Sequence, residues 1–236
     1  MINVFRRLLR IFNPTRRAPR PAASDTTPEW LPPGHPLNPS SFPILDVSRF
    51  TASLVSVTEN PAVALSFNSL RTDDGRHLQG MLPESSIAIP CDLPYPLGAP
   101  MPPDGPIFRS RKMEEKWDLS LFDNRLYFSR SWTGALVYVA EAHITPSLLH
   151  IHTLHTALTA DSPENRHFET LQMAFLLITL LFRKRLPAPI PDAILSPDLM
   201  AQVLFSAYGS QVLAAAAAEH AATFLLPTPS APPPSP

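Results

Sequence analysis

Residues 117–145 read WDLSLFDNRLYFSRSWTGALVYVAEAHIT and contain no proline, in a chain where proline is frequent. Trp117, Leu119 and Leu121 alternate with Asp118 and Ser120. That period of two is the mark of a strand with one buried face. Asp123-Asn124 follows as a tight-turn pair, because both residue types tolerate a left-handed backbone. Arg125–Arg130 is then the return strand. Thr133-Gly134 turns the chain again, and residues 135–144 give a third strand. Its Leu136 to Val139 section is apolar on both faces, which places it centrally in a sheet. A fourth strand fits residues 148–154. The stretch predicts an antiparallel meander.

Towards the C-terminus the pattern changes from strand to helix. Ser162-Pro163-Glu164 supplies an N-cap and a proline at the first helical position. Residues 173–182 are apolar except for Thr179, and Arg183-Lys184-Arg185 suits the end of the helix dipole. Ser196-Pro197-Asp198 repeats the start signal. Helices are therefore predicted over 163–185 and 197–225, the second running through the alanines 214–218. Residues 171–182 are too few for a membrane span, which needs about 20 apolar residues. A buried core helix is the better reading.

Towards the N-terminus the reading is less regular. Residues 83–106 hold eight prolines and predict a long surface loop with a short strand at 87–89. Val63, Leu65 and Phe67 alternate with smaller or polar residues, which predicts a strand, and Asp73-Asp74-Gly75 predicts a turn. Residues 13–43 hold nine prolines and read as an extended, polyproline-like linker, with Trp30 and Leu31 docking on the body. Residues 227–236 hold six prolines and read as a disordered tail. The fold class is α+β: a mainly antiparallel sheet covered by two C-terminal helices. The sheet and these helices form one globular domain over 44–226.

Ahead of the linker, residues 1–12 read as an isolated amphipathic helix. At 100° per residue Ile2, Val4, Phe5, Leu8, Leu9, Ile11 and Phe12 fall on one half of the wheel, and Asn3, Arg6, Arg7 and Arg10 on the other. Pro14 ends it. Phe5, Arg6, Arg7, Leu8, Leu9, Arg10 and Phe12 form a candidate membrane-binding surface. The Arg residues interrupt any secretory h-region. A presequence, a helix for a partner's groove and a helix packed on its own body remain alternatives.

The 236 residues carry 19 Lys and Arg against 20 Asp and Glu, but the balance is uneven. The first 20 residues hold six Arg and no acid, so the rest holds 13 basic residues against 20 acidic, a net charge of −7. Bulk charge therefore argues against a nucleic-acid partner. The single cysteine, Cys91, excludes an intrachain disulfide and a cysteine-cluster metal site. It follows Pro90 with no basic neighbour, so nothing marks it as an activated thiolate. Seven Gly, no Gly-rich phosphate loop, no G-x-S-x-G and no H-E-x-x-H leave the known enzyme signatures absent. No cofactor and no small-molecule substrate is indicated.

Two constellations could still carry chemistry. His150, His152 and His155 form an H-x-H-x-x-H cluster, a candidate metal set if the rings share a strand face. Arg130 and Trp132 could present a cationic and aromatic ligand platform at a hairpin corner. The same region carries a resemblance. Met113 to Val139, with Trp117, Asp123, Leu126 to Phe128 and Arg130 to Gly134, resembles a pattern in small uncharacterised bacterial proteins: a Trp-containing strand, a hairpin, then Arg-Ser-Trp-Thr-Gly. The resemblance implies a bacterial origin and a β-rich domain, and no activity.

The functional expectation is a non-catalytic accessory or interaction domain. It is expected in the cytoplasm, tethered by its N-terminal helix to an anionic membrane surface at the inner face. The rival readings are a metal-dependent enzyme using the histidines, and a soluble adaptor or immunity-like protein with a protein partner.

Overall fold

A computed structural model describes residues 26–56, 58, 60–191 and 196–227. The amphipathic segment 1–12, the first part of the linker and residues 228–236 lie outside the described residues. The fold is α+β, with four helices of eight residues or more among the described residues.

The chain enters through β1 (Glu29–Leu31) and β2 (Ile44–Asp46), followed by the short α1 (Ser48–Ala52) and by α2 (Pro61–Leu70). Then come β3 (Ile87–Pro96), β4 (Gly105–Phe108), β5 (Trp117–Phe122), β6 (Arg125–Arg130), β7 (Leu136–Thr145) and β8 (Leu148–Thr156). These six strands make one antiparallel sheet in the order β3-β8-β7-β6-β5-β4. The predicted meander is its centre. Asp123 and Asn124 both have positive φ, 50° and 59°, as a two-residue hairpin turn requires. β3 and β4 are consecutive in the chain yet lie at opposite edges. Residues 97–104 make the crossing along the end of the sheet that holds the hairpin turns. The Leu97 N–H donates to Ser147 O at 2.9 Å, and the Asp104 carboxylate accepts from the Asp123 N–H at 3.2 Å.

After the large sheet come α3 (Pro163–Leu180), β9 (Ala188–Ile190), α4 (Pro197–Tyr208), β10 (Ala214–Ala217) and α5 (Ala218–Leu225). A second, four-stranded sheet runs β1-β2-β10-β9, with only β9 and β10 parallel. Helix α3 packs on the large sheet and also meets α5 and β9. It is therefore buried on every side from Phe168 to Leu180, and its apolar residues are not confined to one stripe. Ser162 caps it by accepting from the Asn165 N–H at 3.2 Å.

The Pro-rich segment is not a spacer throughout. Residues 29–31 pair with 44–46, and Leu31 is buried. Between the two strands the Asn38 amide organises the loop. Its Nδ2 donates to Leu31 O, Pro32 O and Phe42 O at 3.0, 3.1 and 2.9 Å, and its Oδ1 accepts from the Ser40 N–H and Oγ–H. One polar side chain thus satisfies backbone carbonyls that a proline-rich loop, short of N–H groups, cannot satisfy by itself.

Four other expectations are corrected. Residues 61–70 form a helix, because Asn60 accepts from the Ala62 N–H and Pro61 opens the first turn. Three alternating residues were too short a signal to outweigh that cap. Residues 87–96 form a full strand, since an edge strand tolerates Pro90, Pro94 and Pro96 where no outer partner needs an N–H. Helix α3 stops at Leu180, short of the predicted 185. The helix predicted over 197–225 breaks at Gly209, whose φ of 69° and ψ of −149° suit glycine. A Cβ there would lie 1.9 Å from the Glu114 carbonyl oxygen, so Gly209 is held by contact with the 113–117 segment. The alanines that follow form β10, hydrogen-bonded to β2 on one side and to β9 on the other.

The second face of the large sheet is partly covered as well. The loop after α2 lays Leu78 on Phe122, Tyr127 and Val139, and the Gly80 N–H donates to the Tyr127 hydroxyl at 2.9 Å. Ser120, read from the alternation as facing away from the core, is consequently fully buried under this loop.

Candidate functional site

The Arg-Ser-Trp-Thr-Gly corner lies between the segment 113–117 and the end of α4. Arg130 projects inward from the end of β6 and is 2% exposed. Its guanidinium donates to Ala207 O at 2.8 Å and Ser206 O at 3.0 Å. The Trp117 indole N–H donates to the same Ala207 O at 2.7 Å, and the guanidinium lies 4.5 Å from the Trp117 ring centroid. The last carbonyls of a helix lack intrahelical donors and carry partial negative charge. Arg130 and Trp117 supply the donors, and Arg130 also supplies the complementary charge. Burial pulls the Arg130 pKa down to about 9, against opposing contributions from Tyr138 and Tyr208.

The neighbouring side chains close the same clasp. Ser131 Oγ donates to Glu115 O at 2.7 Å, and the Trp132 indole donates to Met113 O at 2.8 Å. Lys116 is 2% exposed. Its ammonium donates to Ser56 Oγ at 2.7 Å and Met113 O at 2.9 Å, and lies 4.0 Å from the Trp132 ring centroid and 5.2 Å from that of Phe205. Burial first, and then the nearby Arg130 charge, lower the Lys116 pKa to about 7, while Glu114 opposes the shift. Arg130 and Trp132 therefore do not form a surface platform. Arg130 is buried and Trp132 half-buried, and their N–H groups donate to backbone carbonyls.

Beneath the clasp, two buried phenols extend the polar network onto α3. The Tyr138 hydroxyl donates to Glu169 Oε2 at 2.6 Å, and the Tyr208 hydroxyl to Gln172 Oε1 at 3.2 Å. Burial, and then the Glu169 charge, push both phenols well above their ordinary pKa. Both stay neutral donors at any physiological pH.

The histidines do not converge. A register shift between Glu141 and Ala142 leaves His152 without a direct partner on β7, while His150 stands opposite His143. His150 Nε2 lies 2.8 Å from Asp92 Oδ1 on β3. His152 Nδ1 lies 3.0 Å from Thr153 Oγ1, and its ring centroid lies 4.7 Å from that of His143 with the planes tilted by 33°. His155 Nε2 lies 3.4 Å from Glu141 Oε1, which also pairs with Arg125 at 2.8 Å. Among the described residues no group of three or more His, Cys, Asp and Glu side chains is placed to hold a metal ion. The structure does not gather His150, His152 and His155 into the expected metal set: His150 meets Asp92, His152 lies against His143, and His155 lies near Glu141.

Two grooves remain. An open one of about 470 Å³ lies between β3 and the start of α3, with Cys91, Asp92, Arg166, His167 and Thr170 in its lining. Burial pushes the Cys91 thiol up, outweighing the contacts of Thr170 and Leu154, so it is a thiol and not a thiolate. The other is an apolar groove of about 270 Å³ where the end of β3 meets the ends of α3 and α5. No short motif announced it, because its walls come from three segments far apart in sequence. The chain matches no family model, no curated protein and no solved structure.

Proposed function

We propose that the protein is a non-catalytic interaction domain carried to an anionic membrane surface by residues 1–12. The observation that carries this reading is the segregation of Phe5, Leu8, Leu9 and Phe12 from Arg6, Arg7 and Arg10 on a helical wheel. Each Arg near an anionic leaflet contributes about 1 kcal/mol, and the apolar face adds burial. The two contributions together suffice for reversible surface binding. Attachment at a surface also agrees with the absence, among the described residues, of a helix long and apolar enough to cross a membrane.

The folded body supports the non-catalytic half of the reading. Two of the side chains nominated for chemistry have structural tasks: Arg130 holds the end of α4 and Trp132 holds 113–117. Flotation of the full chain with vesicles tests the proposal. Recovery with anionic vesicles and not with neutral ones is expected. Equal recovery from both would remove the electrostatic anchor, and recovery from neither would leave a cytoplasmic adaptor with a protein partner as the better account.

A further inference from the structure

Tyr95 at the end of β3, Phe182 just after α3 and Phe224 in α5 wall the apolar groove, with Ile178, Leu186 and Leu225 between them. The Tyr95 and Phe182 rings lie 5.9 Å apart and are tilted by 41°, and the Tyr95 hydroxyl donates to Leu225 O at 3.1 Å. At about 270 Å³ the groove falls below the range typical of drug-sized ligands, roughly 300–1,000 Å³. Walls that are mostly apolar and carry three aromatic rings, with Lys184 as the charged lining residue, suit a few apolar rings better than a polar metabolite.

The chain itself brings such rings to the spot. Leu226 leaves α5 extended, at φ −93° and ψ 129°, as a residue ahead of proline prefers. Pro227 is part of the groove lining. The next nine residues, Thr-Pro-Ser-Ala-Pro-Pro-Pro-Ser-Pro, hold five prolines and no charge. Proline-rich segments of this kind adopt the polyproline II conformation and dock in aromatic-lined grooves, losing little entropy because they are already stiff. With a rise of about 3.1 Å per residue, a few residues beyond Pro227 are enough to run the length of a groove this size. A segment joined directly to its site also meets it at an effective concentration in the mM range.

We propose that residues 228–236 of the same chain occupy this groove, so that Tyr95, Phe182 and Phe224 form a proline-binding site that the protein fills itself. An outside proline-rich segment must displace the tail to bind. The inference is independent of the membrane reading: either can fail alone.

Methyl NMR on the full chain tests it with a synthetic peptide of residues 228–236 as the probe. One sample is the unmodified chain. In the other, Pro229, Pro232, Pro233 and Pro234 are replaced by Ser, outside every described element. The expected result is that the Ile178, Leu186 and Leu225 methyl signals differ between the two samples while those of Leu121 and Ile151 do not. The peptide then shifts these signals saturably in the substituted chain and needs at least tenfold more to do so in the unmodified one. Equal titration of both chains, or no shift in either, overturns the proposal. If tenfold dilution of the unmodified chain moves its groove signals towards those of the substituted chain, the occupant is another copy's tail, which also overturns occupation in cis.

Discussion

Replacing Arg130 by Ala tests whether the Arg-Ser-Trp-Thr-Gly corner holds the fold together. The guanidinium makes two charge-assisted bonds, to Ser206 O and Ala207 O. After truncation Ala207 O keeps the Trp117 indole, but Ser206 O loses its Arg130 donor. Ser206 O is partly buried, and leaving it unsatisfied costs about 1–3 kcal/mol. The lost cation–π contact with Trp117 costs about 2 kcal/mol more in a water-excluded setting. Removing the cost of burying a charge, the cause of the lowered Arg130 pKa, offsets part of this. The net expectation is a loss of about 3 kcal/mol, or roughly 6–12 °C in Tm for a chain of this size. Arg130→Lys should lose about 2 kcal/mol, because one ammonium cannot fork between two carbonyls. Urea unfolding followed by tryptophan fluorescence measures both. An Arg130→Ala protein within about 0.5 kcal/mol of the unmodified chain would refute the clasp.

Three further perturbations have defined outcomes. Lys116 has a folded pKa of about 7 against an ordinary 10.5, so the unfolded chain binds more protons between those values and stability should rise with pH from 7 towards 10; Lys116→Met should flatten that rise in urea midpoints at pH 7, 8 and 9. Gly209→Ala must place a Cβ 1.9 Å from the Glu114 carbonyl at a left-handed φ, and should cost at least about 3 kcal/mol in the same assay. Asn38→Ala removes the donor to three loop carbonyls and should cost about 2 kcal/mol by thermal melting, whereas a cost under about 0.5 kcal/mol would return residues 32–43 to the status of a linker.

The sequence carried the centre of the fold well and its margins poorly, for identifiable reasons. Strands β5 to β8 were legible because each carries a long local pattern and the Asp123-Asn124 turn sets the register between two of them. The starts of α3 and α4 were legible from Ser-Pro pairs, which act within one helical turn. The strands at residues 29–31 and 214–217 were not, because each depends on partners distant in sequence: β1 on β2, and β10 on both β2 and β9. A run of alanines favours a helix in isolation, and only the packing of two neighbouring strands and the break at Gly209 override it. Prolines in residues 87–96 read as loop because a sequence does not show that a strand lies at an edge. The candidate site was half legible. Arg130 and Trp132 stood out by residue type, but their inward direction depends on Met113, Ser206 and Ala207, which have no signature. The histidine spacing was plain, and the partner that each ring meets was not.

The functional proposal stands most directly on vesicle flotation of the full chain carrying Arg6→Gln, Arg7→Gln and Arg10→Gln together, compared with the unmodified chain across a salt series. The apolar face is untouched, so only the electrostatic contribution changes. At low salt the triple substitution should lower recovery with anionic vesicles strongly. Near 1 M salt, where the Debye length falls to about 3 Å, the two proteins should converge. Equal recovery of both proteins at low salt would contradict the account.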